Sequence, residues 1–148
     1  MGTTLVAVLS QKEMKLFDRD IATGGLKFQQ RLENEMSGER NSDISRHRPG
    51  VVNEGGSGVA RHVMDAGSDP HELASKQFAH RVAGFLDHER AEGRLSQLIV
   101  VAEPRFLGRL RSEMGDGLKK ITTCWVDKDL DKAPTSVLES TINRSLAQ

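Results

Sequence analysis

Apolar residues follow two different rhythms along this chain, and the rhythm separates strands from helices. Thr3 to Leu9 is an uncharged run of small and β-branched residues and predicts a first strand. Met14 to Asp18 predicts a short second strand after the polar turn Ser10-Gln11-Lys12-Glu13. Gly24-Gly25 marks a reversal. Leu26, Phe28, Gln30 and Leu32 then alternate with polar residues as in a half-exposed third strand. Three strands joined by short turns predict an antiparallel meander.

The rhythm changes at Asp69. Ala74, Phe78, Val82, Phe85 and Leu86 recur at helical spacing, so a long helix is expected up to Gly93. Asp69 is a candidate N-cap and Pro70 a first-turn proline. Glu72 can close a capping box or pair with Lys76 one turn on. Leu98 to Ala102 is continuously apolar, the mark of a strand covered on both faces. Glu103-Pro104 stops it. A helix follows with Phe106, Leu107, Leu110 and Met114 on one stripe and Gly115 as its expected C-cap. Ile121 to Val126 predicts a fifth strand, ended by Asp127-Lys128-Asp129. Pro134 or Ser136 opens a last helix whose stripe is Leu138, Ile142 and Leu146.

The order βββ-α-β-α-β-α predicts an α/β fold: a single domain over 1–148, built on a five-stranded mixed sheet with helices on both faces. The expected strand order is 3-2-1-4-5 with strand 2 antiparallel, a ribonuclease-H-like layout. Its centre would be the first and fourth strands, the most apolar ones. Between the meander and the long helix, residues 33–68 show no period and hold six glycines and Pro49. So long an aperiodic stretch reads as a mobile loop, either functional or disordered.

Composition narrows the function classes. Lysine plus arginine equals aspartate plus glutamate at 21 each, which disfavours a dedicated DNA-binding module but leaves room for a local basic patch. The single cysteine, Cys124, excludes an internal disulfide and a cysteine-cluster metal site. Beside Trp125 in an apolar run, it reads as a buried structural thiol. The N-terminus lacks a basic n-region, and no segment approaches the roughly 20 apolar residues of a membrane span. A cytoplasmic protein that does not contact a membrane is the expectation.

LIVVAEPRFLGRLR at Leu98 to Arg111 and VDKDLDKAP at Val126 to Pro134 resemble the host attachment protein family, small bacterial proteins named for a role in binding host cells. Leu107-Gly108, Arg111 and Lys128-Asp129-Leu130 carry the resemblance, which covers about two-thirds of the chain and is weak over 33–68. That family is similar to the middle domain of archaeal and eukaryotic peptide-chain release factors, which implies the fold already reached from periodicity. Release factors carry a Gly-Gly-Gln loop before the long helix. Here Gly55-Gly56-Ser57-Gly58 holds a comparable place, with Ser57 in place of the glutamine, so peptidyl-tRNA hydrolysis does not carry over.

Candidate chemistry is sparse. Glu103 and Asp127 end the fourth and fifth strands, where two carboxylates can hold a hard cation; polar strand ends also serve solubility alone. The first strand lacks the acidic ligands of a ribonuclease-H-like nuclease. No histidine pair has HExxH spacing; His80 and His88 point away from the apolar stripe toward solvent. Ser57 and His62 lack a nucleophile elbow and a third partner. No motif calls for a cofactor or a metal.

The clearer signal is basic. Arg46, His47, Arg48, Arg61 and His62 flank Gly55-Gly56-Ser57, and Arg105, Arg109 and Arg111 load the helix after the central strand. Together they form a candidate surface for phosphate or another polyanion, with the strand-end residues Glu103, Asp127, Lys128 and Asp129 beside it. The competing reading is a solvated helix face balanced by Glu103, Glu113 and Asp116. The expectation is a non-enzymatic binding module whose partner is RNA or the ribosome. The alternative is an adhesion-related or regulatory protein that contacts other proteins; a metal-dependent hydrolase stands behind both. The oligomeric state is open, although the third strand's free edge offers a pairing surface.

Overall fold

The computed structural model describes residues 3–35 and 70–147. Within them the chain runs β1 (Thr4–Leu9), β2 (Glu13–Arg19), β3 (Leu26–Glu33), α1 (Pro70–Ala91), β4 (Gln97–Ala102), α2 (Pro104–Glu113), α3 (Asp116–Lys120), β5 (Thr122–Val126) and α4 (Thr135–Leu146). The five strands form one sheet in the order β3-β2-β1-β4-β5. β1 pairs antiparallel with β2 and parallel with β4, and β5 extends the parallel side. This is the mixed α/β sheet that the apolar rhythm predicts.

β1 and β4 are buried along almost their whole length because side chains alternate between two covered faces. Leu5, Ala7, Leu9, Leu98, Val100 and Ala102 face α1, α2 and α3. Val6, Val8, Ile99 and Val101 face the opposite way and meet Leu138 and Ile142 of α4. The first layer is the thicker one. Phe78 of α1 and Phe106 of α2 meet there with ring centroids 6.1 Å apart.

Two glycines do specific work at reversals. Gly24 has φ 78° and Gly93 has φ 81°, the left-handed region that glycine enters without a steric penalty. Gly93 ends the long helix, as its sequence position predicts. Beyond it Arg94 returns to the helix. Its Nε and Nη2 donate to the two carboxylate oxygens of Glu89 at 3.0 and 2.9 Å.

Several local expectations give way to packing. Gly115 is not the C-cap of α2; Met114 fills that position, and Gly115 instead precedes α3, a five-residue helix that the sequence pattern does not reveal. Too short for a stripe of its own, α3 is anchored by Leu118, which is fully buried. Ile121 stays outside β5, although its carbonyl accepts from the Leu98 N–H at 2.9 Å. Leu146 of the expected α4 stripe is 38% exposed, at the last residue of the helix. Cys124 is half-buried on the edge strand β5, not deep in a core.

In β3 the regular alternation is interrupted. Phe17 pairs with Phe28 whereas Leu16 pairs with Gln30, so Gln29 is an extra residue, a bulge. It puts Phe28 edge-on against Phe17 on one face and Leu32 against the other core. The bulge, the exposed Lys27 and Arg31, and Arg81 of α1, which donates to the Glu33 carbonyl at 3.0 Å, make this edge a poor template for strand addition.

Candidate functional site: the C-terminal end of the parallel strands and the arginine face of α2

The parallel strands β1, β4 and β5 deliver their C-terminal ends to one side of the molecule, where open α/β sheets place ligands. A cleft of about 750 Å³ opens there. Its walls are Ser10 to Lys12 after β1, Glu103 after β4, and Asp129 with Asp131 to Ala133 in the loop before α4.

Glu103 is the best-defined of the candidate strand-end residues. It caps α2: its carboxylate oxygens accept from the N–H groups of Arg105 at 2.9 Å and Phe106 at 3.3 Å. A carboxylate fixed this way satisfies two orphan donors of the helix and complements its dipole. Asp129 shares the cleft with Glu103. Asp127 and Lys128 do not; they line a smaller hollow of about 350 Å³ beside Cys124, Trp125 and Arg144. Glu103 and Asp127, the two carboxylates considered together as a cation site, thus line different hollows. Among the described residues no three His, Cys, Asp or Glu side chains come together to hold a metal ion.

Sequence reasoning missed Asp131, and it missed Lys15. Asp131 is 5% exposed. Its carbonyl accepts a hydrogen bond from Lys15 Nζ, and its Oδ1 lies 3.7 Å from the same amine. That Oδ1 has no hydrogen-bond partner. Nothing in the sequence signals the pair, because Lys15 is one of several charged residues in β2, with Glu13, Asp18 and Arg19.

The arginines of α2 divide between two neighbours. Arg109 Nη2 lies 2.8 Å from Glu72 Oε2 at the start of α1, and Arg105 Nη2 approaches the same oxygen to 3.8 Å. The two share a face, as their spacing of four predicts. Glu72 thus serves this inter-helix pair and not the expected contact with Lys76. Arg111 turns the other way, its guanidinium 4.4 Å from the centre of the Trp125 ring, a cation–π contact that ties α2 to the edge strand. One turn past Arg109, Glu113 Oε1 is 2.9 Å from His80 Nδ1 on α1. His80 and His88 are both exposed, in line with their expected direction. The candidates Arg46, His47, Arg48, Gly55, Gly56, Ser57, Arg61 and His62, and the candidate cap Asp69, lie outside the described residues.

Burial governs the reactivity of the one thiol in the chain. It pushes Cys124 above the usual thiol range, and the positive charge of Arg19 opposes that only in part.

The five-stranded mixed sheet with helices on both faces defines an α/β fold, with a cleft at the strand ends. The chain belongs to the family described as proteins required for attachment to host cells, whose pattern matches residues 5–142. It is similar to an uncharacterized protein of Rickettsia prowazekii (strain Madrid E), 27% identical over 146 residues that cover 93% of this chain and 91% of that one. Among solved structures an archaeal protein aligns over 96% of this chain with 13% identity and a TM-score of 0.41. The chain spans 36% of that archaeal protein's length. Among the described residues no helix is long and apolar enough to cross a membrane.

Proposed function

We propose that this member of the host attachment family is a non-enzymatic binding module whose partner is RNA, carried on the ribosome, engaged by the arginine face of α2 and the basic segment between β3 and α1. The observation that carries this reading is the convergence of Arg105 and Arg109 on one carboxylate oxygen of Glu72. Two guanidinium groups meeting at a single oxyanion make a clamp that suits a phosphate oxygen equally well. Glu72 stands two residues past the start of α1, so the segment bearing Arg46, Arg48 and Arg61 joins the described fold beside this clamp.

A metal-dependent hydrolase is less well supported, because Glu103 is already engaged as a helix cap. The test is co-sedimentation with ribosomes from lysate at low and moderate salt. Wild type is compared with a variant carrying Arg46→Ala, Arg48→Ala and Arg61→Ala. The proposal expects salt-sensitive co-sedimentation that the variant loses. Absence from the ribosomal fraction at every salt contradicts it. The family role would then rest on protein contacts, the adhesion-related or regulatory reading. Action from the cytoplasm, by an indirect effect on attachment, belongs to the same proposal.

A further inference from the structure

The strand-end cleft holds three carboxylates and two amines, and their local contacts decide which groups are free to bind. Glu103 is occupied by the two N–H groups at the start of α2. Asp131 is neutralised by Lys15, which reaches both its carbonyl and its carboxylate. Lys12 and Lys132 line the same cleft, both exposed, and neither amine has a hydrogen-bond or ion-pair partner among the described residues. Asp129 faces them without a hydrogen-bond partner among the described residues, and Glu103 keeps its charge while it caps the helix. The groups of the cleft left free to take a new partner are therefore the two amines and Asp129, with positive and negative charge in rough balance.

Ser10 adds a neutral donor. Its Oγ accepts from the N–H of Lys12 at 3.1 Å and of Glu13 at 3.3 Å. With both lone pairs engaged, its hydroxyl hydrogen is left to donate. A hydroxyl donor and two amines around a cleft of about 750 Å³ suit a small anion. Asp129 adds a further requirement: beside the anionic group the ligand presents a donor, a hydroxyl or an amine, to that carboxylate.

We propose that the cleft between Ser10–Lys12 and Asp129–Ala133 is a binding site for a small phosphorylated molecule bearing free hydroxyl groups, a sugar phosphate or a nucleotide. Lys12 and Lys132 hold the phosphate with the Ser10 hydroxyl, and Asp129 accepts from a ligand hydroxyl. None of these four residues belongs to the arginine clamp, so the site stands apart from the RNA reading.

The experiment is isothermal titration of the full chain at low ionic strength with ribose 5-phosphate, AMP, inorganic phosphate and citrate. The proposal expects saturable one-to-one binding of ribose 5-phosphate or AMP. Lys12→Ala/Lys132→Ala should weaken it at least about tenfold while the thermal midpoint without ligand stays put. Asp129→Asn should weaken the hydroxyl-bearing ligands while leaving inorganic phosphate unchanged or tighter. Arg105→Ala/Arg109→Ala should bind as wild type does, which separates this site from the clamp. No saturable binding of either organic phosphate up to about 5 mM overturns the proposal. So does binding that survives loss of both lysines, and so does a preference for citrate, which would make the cleft a carboxylate site.

Discussion

Arg109 in α2 and Glu72 in α1 meet at 2.8 Å, and that contact joins the two helices that cover the same sheet face. Arg109 keeps only a fifth of its side chain exposed, whereas Glu72 keeps about half of its own. The pair is therefore part structural and part surface. As a surface ion pair it contributes at most about 1 kcal/mol to stability. Its larger effect is electrostatic: Glu72 is the internal counter-ion of the arginine clamp. Glu72→Ala should lower stability by less than about 1 kcal/mol and tighten binding to a polyanion such as heparin or RNA by about fivefold at low salt. Fluorescence anisotropy with a labelled RNA oligonucleotide measures this. Weaker binding in Glu72→Ala would mean that the carboxylate itself is part of the recognition surface.

Glu103 is assigned a structural role, and that role has a magnitude. Loss of its cap in Glu103→Ala should cost about 1 kcal/mol. For a domain of this size that lowers the thermal midpoint by roughly 2 to 4 °C. Glu103→Ser, which restores a short capping oxygen, should recover most of the loss. Circular dichroism melts decide between this and a functional carboxylate, for which Ser would be no substitute and stability would not change.

The end of α1 carries a pH signature. The Arg94 guanidinium, hydrogen-bonded to Glu89, holds that carboxyl below its usual range, and burial only partly opposes the effect. A depressed carboxyl binds fewer protons in the folded state than in the unfolded one. Its stabilisation is therefore present above the unfolded value and is lost as pH falls through the lower, folded one. Glu89→Gln should cost roughly 1 to 2 kcal/mol at neutral pH, and the deficit should shrink steadily below about pH 5. Urea denaturation across that range measures it. A deficit that stays constant with pH would mean that the carboxylate's charge is irrelevant to this turn.

Cys124 should behave as a sluggish thiol. With burial raising it and Arg19 only partly compensating, little thiolate forms at neutral pH. Alkylation by iodoacetamide at pH 7.5 should run several-fold slower than for a free model thiol, and should speed up with pH and on unfolding. Rapid modification of the native protein would show an environment more polar than the half-buried edge strand provides.

The sheet was legible in the sequence because its two central strands are apolar on both faces and its outer strands are not. That difference agrees with the order that the meander and the right-handed crossovers imply, with β1 beside β4. Features that depend on which distant residue comes near were not legible. No periodicity announces that one extra residue, Gln29, moves Phe28 to the opposite face from Leu32. Leu118 anchors a helix too short to show a stripe. Asp131 reads as one polar loop residue among several until the fold brings Lys15 beneath it. The arginine spacing in α2 predicts that Arg105 and Arg109 share a face. It does not predict that Arg111 rests on Trp125, a contact set by the placement of β5.

Binding of RNA by the arginine surface is read in the salt dependence of affinity for purified ribosomes. The log of the association constant should fall linearly with the log of salt concentration, with the slope growing with the number of phosphates engaged. Arg105→Ala/Arg109→Ala should make that slope shallower by about 1 to 2 and weaken binding at low salt. A slope near zero, or the same slope in wild type and variant, would contradict the claim.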